Sequence, residues 1–406
     1  CIEHFLRKGV PAWLDSPSGQ GPPRMVRGKS IVMVGDARTE AAFSSSDTEA
    51  VKCTPQEDGG QGVREEDVEK GWSVALMFLT VGAVLNSDVW ASWLKDANKG
   101  EYNIYVHSKR PEETTFPLFK DALIEPVKTK WGTISLVDAH VTLLRAACKN
   151  PRNRWFLLLS DSCLPVRSFR HVREVLSEHK TSIFDMASKQ VHNDQRENIK
   201  KFTEDIVNGP NLTETEKLIK KLVVDDPCGI QVHSQWCCLV RADAETLSNA
   251  DDLAVWYDAY KTMLPLDLVK RSFLLAPDEL FIHTYLRQHV GKQYRANARM
   301  TTFAHCCLEV DSCQCSLQRA SHPLTLGSMH PVVVFQSLKR QSLFARKFAA
   351  GQTPEHWEAV WRSENEPANM FAAAQMSLQL ASPDRLTDRQ KLTIAYKLSE
   401  LSSPDV

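Results

Sequence analysis

Three runs of mostly apolar residues with little polar alternation constrain this chain most: Val74–Leu79, Tyr102–Val106 and Trp155–Leu159. A strand with one face in water alternates apolar and polar residues; these do not, so both faces of their sheet must be covered. Between them lie segments with helical spacing, over 88–95 and over Ser135–Cys148, where Leu136, His140, Leu143, Leu144 and Ala147 recur on one face. A further helix is expected at Phe169–Leu176 and a short strand at Ala122–Val127. Strands alternating with helices predict an α/β fold with a mostly parallel sheet.

Further along, residues 230–241 read as a strand, 251–264 as a helix and 278–289 as another helix opened by Pro277-Asp278-Glu279. Residues 190–225 read as charged and helical with no strong apolar face. Residues 1–70 read as a poorly ordered leader, because prolines at 11, 17, 22 and 23 and an acidic stretch from Asp47 to Lys70 can bury little apolar surface. Only Ile31–Val34 is strand-like there. The pattern weakens after Pro323, and 353–406 reads as C-terminal helices. The boundaries expected are 1–70 for the leader or stem, 71–350 for the main folded domain and 351–406 for a helical extension.

The chain has 406 residues with 49 basic and 50 acidic side chains. That balance excludes a nucleic-acid coating protein or a polybasic membrane binder, which needs an excess of positive charge. Hydrophobic residues at 43% exclude wholesale disorder. The longest apolar run, Trp72–Leu85, falls short of the roughly 20 residues of a membrane span. Eleven cysteines, gathered late at 228, 237, 238, 306, 307, 313 and 315, suggest an oxidising compartment, and the odd number leaves at least one thiol unpaired. A zinc site is the weaker reading, because the 306–307 and 313–315 pairs lack knuckle spacing. One sequon, Asn211-Leu212-Thr213, fits a secretory route.

Five segments can carry chemistry. His107 closes a strand at its carboxyl end, where open α/β sheets bind ligands, although a loop histidine is the plainer reading of that segment alone. Trp131-Gly132 precedes a helix N-terminus with Asp138 in its first turn, as a ligand site or simply as a cap. Strand Leu157–Leu159 runs into Ser160-Asp161-Ser162-Cys163, a place for a metal-binding Asp-x-Asp, but Cys163 stands where the second hard oxygen ligand is needed. Asp278 and Glu279 follow Pro277 and offer either a general base or a simple helix start. Arg346-Lys347, between Phe344 and Phe348, can neutralise a diphosphate or lie on solvated surface.

In this order the segments resemble the core-2/I-branching family of glycosyltransferases, including its plant-type branch. The resemblance runs from about Val74 to Phe348 and also draws on Ser234-Gln235-Trp236 and Ser321-His322-Pro323. It implies a GT-A-type α/β fold and an inverting enzyme that uses a UDP-sugar without a catalytic metal or other cofactor. By position, Glu279 would be the general base, and Lys347 with Arg346 would hold the departing diphosphate. Tyr105, Val106 and His107 would line the uridine site with Lys128 nearby, and Gln235 and Trp236 would shape the acceptor side. N-acetylglucosamine is the first sugar expected, followed by xylose and glucuronic acid. The acceptor would be a glycan or glycoprotein.

The chain departs from the family in its cysteine-rich segment before Ser321 and in lacking a clear second diphosphate arginine, for which Arg319 and Arg340 are candidates. A non-catalytic glycan- or nucleotide-sugar-binding relative is the second reading. A sulfotransferase is a third, without a glycine-rich phosphate loop to support it. A chain beginning at Cys1 leads us to expect a membrane anchor in a preceding segment and a lumenal, Golgi or secretory-pathway location.

Overall fold

The computed structural model describes residues 71–271, 274–291, 294, 296–299, 301–304, 337 and 341–362. The elements expected at 31–34 and beyond 362, and the cysteines and arginines from 305 to 340, lie outside the described residues. In chain order the elements are β1 (Ser73–Thr80), α1 (Ser87–Trp93), β2 (Tyr102–Ser108), α2 (Pro117–Lys120), α3 (Ser135–Cys148), β3 (Asn153–Ser160) and β4 (Leu164–Pro165). Next come α4 (Phe169–Glu178), β5 (Ile183–Phe184), α5 (Lys189–Val207), α6 (Glu214–Lys220), β6 (Cys238–Val240), α7 (Arg241–Ser248), α8 (Leu253–Met263) and α9 (Leu266–Arg271). A 3-10 turn at Pro277–Glu279 leads to α10 (Phe281–Val290), β7 (Asn297–Ala298), β8 (Thr302–Ala304), β9 (Phe344–Arg346) and α11 (Pro354–Arg362).

Six strands form the main sheet in the order β2-β1-β3-β6-β5-β7. Strands β1–β2, β1–β3 and β5–β7 pair in parallel, while β6 runs antiparallel to β3 and β5. Successive residues of β1 and β3 enter opposite cores. Ala75, Met77, Phe156 and Leu158 pack with α3, α5, α7 and α8 on one face; Val74, Leu76, Phe78, Trp155 and Leu157 pack with α1, α4 and α11 on the other. Burial on both faces is why these strands carry no polar alternation.

Three expectations change. Ala122–Val127 forms no strand: Ala122 lies in a turn, and the segment pairs through one bridge, Val106 to Leu123. The strand expected at 230–241 shrinks to Cys238–Val240, because the preceding backbone bonds elsewhere, including the Gln231 amide to Thr284 Oγ1 at 2.9 Å. Helix α5 does bury a stripe, Val191, Gln195, Ile199, Thr203 and Val207, whose polar members hide it from a hydropathy reading.

A small second sheet, β4-β9-β8, sits beside the carboxyl end of β3. Helix α11 continues the core past residue 350: Trp357 is fully buried against Phe348, and Trp361 Nε1 donates to the Pro165 carbonyl at 3.0 Å. Among the described residues no helix is long and apolar enough to cross a membrane.

Candidate active site at the carboxyl ends of the strands

Strands β1, β2 and β3 end in register, with Thr80 opposite Ser108 and Leu79 opposite Ser160. Their following loops are tied together. The Gly82 carbonyl accepts from Thr80 Oγ1 at 2.7 Å and Ser108 Oγ at 3.0 Å, and the Leu85 amide donates to the Asp161 carbonyl at 2.9 Å. A rigid rim at the carboxyl edge is where ligands of open α/β sheets bind.

On one side of this rim stands the acid turn Pro277–Glu279. Pro277 fits its first position, where a missing amide costs nothing. The turn is held from behind: the His233 amide donates to the Glu279 carbonyl at 2.9 Å, and the buried Tyr260 hydroxyl donates to the Leu280 carbonyl at 3.1 Å. Asp278 and Glu279 are both half-buried. Burial, and then the neighbouring Asp278 carboxyl, push Glu279 well above the usual carboxylate range. Asp278 is also raised by burial, with the Arg346 guanidinium opposing the shift. Its Oδ1 is buried without a hydrogen-bond partner.

On the other side stands β9, which ends at Arg346 and is followed by Lys347. Buried Phe344 anchors the strand, stacked 6.0 Å from Trp90 and edge-on to Trp93 at 5.8 Å. The Arg346 guanidinium lies 4.2 Å from the centroid of the Trp236 ring. Burial lowers its pKa, while the nearby Cys163 sulfur and the Asp161 and Asp278 carboxylates oppose that shift. Lys347 is lowered by burial and then by Arg346. Neither forms an ion pair with an acid among the described residues, which leaves both cations available for an anion.

The profile of the Core-2/I-Branching enzyme family matches residues 74–326, more than half of the chain. The chain belongs to that family. A curated relative, "Glycosyltransferase BC10" of rice (Oryza sativa subsp. japonica), is 23% identical over 270 residues. That match covers 62% of this chain and 61% of the relative, so the chain spans about six-tenths of the relative's length. The fold is the GT-A-like α/β arrangement of this glycosyltransferase family. The acid turn falls inside the matched stretch; Arg346 and Lys347 lie beyond it.

The candidate site gathers Asp161, Asp278, Glu279, Arg346 and Lys347, but not every residue expected from the sequence. Val106 turns its side chain into the core with Phe78 and Phe119, and so cannot line a cleft. Tyr105 faces the other core, and its hydroxyl accepts from Asn153 Nδ2 at 3.0 Å, near the amino end of β3. His107 is fully buried and kept neutral by desolvation; its Nε2 accepts from the Val127 amide at 3.0 Å. It therefore shapes the loop carrying exposed Lys128. Gln235 is half-buried. Trp236 is 7% exposed and covered by Arg346, so its ring is not presented to an acceptor.

From the residues alone, Asp278 reads as a base or a helix start, and Trp131-Gly132 as a ligand site or a cap. Trp131 is 57% exposed on the rim loop. The next residue, Gly132, has a φ of +73°, and a side chain there would crowd Leu266 Cδ1, so the turn at this place suits glycine. Cys163 turns inward: its Sγ accepts from the Ser160 amide at 3.3 Å and lies 3.1 Å from Ser160 Oγ. Cys148, Cys163, Cys237 and Cys238 are free thiols. Among the described residues no group of three or more His, Cys, Asp or Glu is placed to hold a metal. A cavity lined by Trp72, Glu101, Phe169 and Arg173 opens at the opposite, amino-terminal edge of the sheet, away from these groups.

Proposed function

We propose that this protein is an inverting glycosyltransferase that moves a sugar from a UDP-sugar to a hydroxyl of a glycan acceptor without a catalytic metal. The carrying observation is the meeting of the acid turn with the basic strand, where Asp278 and Arg346 sit close enough to perturb each other's charge. A base and a diphosphate clamp then share one cleft. Glu279 takes the proton from the acceptor hydroxyl as its oxygen attacks the anomeric carbon. The bond from that carbon to the phosphate oxygen breaks on the opposite face, and configuration inverts. Lys347 and Arg346 neutralise the charge growing on UDP, the role a metal ion fills elsewhere.

N-acetylglucosamine is the first sugar we assign, with xylose and glucuronic acid the alternatives used in the family. The acceptor is a glycan or glycoprotein met in the lumen of the Golgi or secretory pathway, to which a preceding segment would anchor the protein. The exposed sequon at Asn211 supports that location. A calorimetric titration of the full chain with a panel of UDP-sugars in EDTA tests the reading. Selective binding of one UDP-sugar, followed by transfer in EDTA, is the expected result. No binding, or activity lost in EDTA and rescued by Mn2+, overturns it.

A further inference from the structure

Residues 233–236 touch both halves of the site. At one end the His233 amide holds the Glu279 carbonyl at 2.9 Å. At the other, the Trp236 ring carries the Arg346 guanidinium at 4.2 Å. The Trp236 carbonyl accepts from Thr301 Oγ1 at 2.7 Å, and Thr301 donates no slack to the next element: its carbonyl accepts the Leu343 and Phe344 amides at 3.0 Å each. The Trp236 backbone is thus fastened to the strand from which Arg346 projects. Three residues of chain span at most about 10 Å, so this strap sets the spacing between the acid turn and the basic strand.

We infer that Trp236 is a positioning residue, acting through Arg346 to hold its guanidinium between the acid turn and the Asp161 loop. Trp236 is 7% exposed and joins the core, while Arg346 Nε is buried without a hydrogen-bond partner. A guanidinium with an unpaired nitrogen swings unless something else fixes it. The indole face does so, since a cation over a desolvated aromatic ring is held by the ring's quadrupole. Arg346 then points its remaining donors where a diphosphate arrives and keeps its charge beside Asp278. The inference rests on the UDP-sugar reading, with Trp236 serving the donor side instead of the acceptor side.

The test compares W236F, W236L, R346M and the W236L/R346M double variant. UDP affinity is measured by calorimetry, and KM is measured for donor and acceptor separately. W236L should weaken UDP binding about tenfold, the loss expected of a desolvated cation–π stack, and W236F should restore most of it. Acceptor KM should stay unchanged in both. In the R346M background W236L should cost nothing further, because the two act as one unit. Unchanged UDP affinity in W236L, a raised acceptor KM, or losses that multiply in the double variant would each overturn the inference. Should W236L not fold, W236F alone decides: UDP affinity measurably lowered, by less than tenfold, with acceptor KM constant supports it, and unchanged UDP affinity or a shift in acceptor KM sinks it. A wild type that binds no UDP removes the proposed function as well, an outcome distinct from these.

Discussion

The Phe348 amide donates to the Ser162 carbonyl at 2.9 Å, so the residue before it, Lys347, is pinned to the loop that leaves β3. This single backbone bond places a half-buried ammonium beside Asp161 at the carboxyl edge of the sheet. Lys347→Ala should therefore weaken UDP binding by roughly 10- to 100-fold, the worth of a charge-assisted contact of about 1.5–3 kcal/mol. Calorimetry with UDP alone reads the change. Unaltered affinity would remove Lys347 from the site.

Glu279 has the opposite signature. Its carboxyl sits on a turn anchored at the His233 amide, and its assigned role is to take a proton and not to bind phosphate, so removing its basicity should spare donor binding. Glu279→Gln should lower kcat by roughly 100-fold or more with UDP affinity nearly unchanged. Intact turnover would assign the base elsewhere.

The adjacent carboxyls predict the pH profile. Glu279 works as a base only when ionised, and burial together with Asp278 holds its pKa above the ordinary carboxylate range. Activity should fall as pH drops through that raised value, placing the acid limb above the ordinary Glu value of about 4.3. Asp278→Asn removes the neighbouring charge and should move the limb to lower pH; a limb that stays put would uncouple the pair. Stability follows the same linkage. Both groups bind protons more tightly folded than unfolded, so their contribution is full below the unfolded pKa and is lost as pH rises through the folded one. Thermal unfolding of Asp278→Asn should accordingly depend less on pH across that window.

A mostly parallel sheet buried on both faces was legible because unalternated runs such as Val74–Leu79 admit few other arrangements, whereas the strand order was not. The acid turn and basic pair were legible as residue types, but their meeting was not. It depends on β9 crossing to β4 and β8, contacts among residues far apart in sequence. The orientations of Tyr105 and Val106 could be read only as alternate faces of β2; which face meets the cleft is decided by the helices above it. Gln195 shows the same limit: its amide oxygen accepts from the Leu275 amide at 3.1 Å inside the core, a partner 80 residues away.

The sequon gives a last prediction that separates modification from folding. Asn211 is exposed between α5 and α6, and Thr213 is the N-cap of α6. Thr213 Oγ1 accepts the Glu216 amide at 3.3 Å, and Glu216 returns a bond to the Thr213 amide at 2.8 Å, a capping box. Expressed through a secretory pathway, the protein should carry a glycan at Asn211, seen as a mass shift removed by a glycosidase. Asn211→Gln should abolish that shift and leave stability unchanged. Thr213→Ala should abolish it and also cost about 1 kcal/mol, because the cap is lost. Thr213→Ser should keep both, since serine satisfies the sequon and the cap alike. A wild type that passes through the lumen without modification would count against the secretory assignment, and the cap cost of Thr213→Ala would remain.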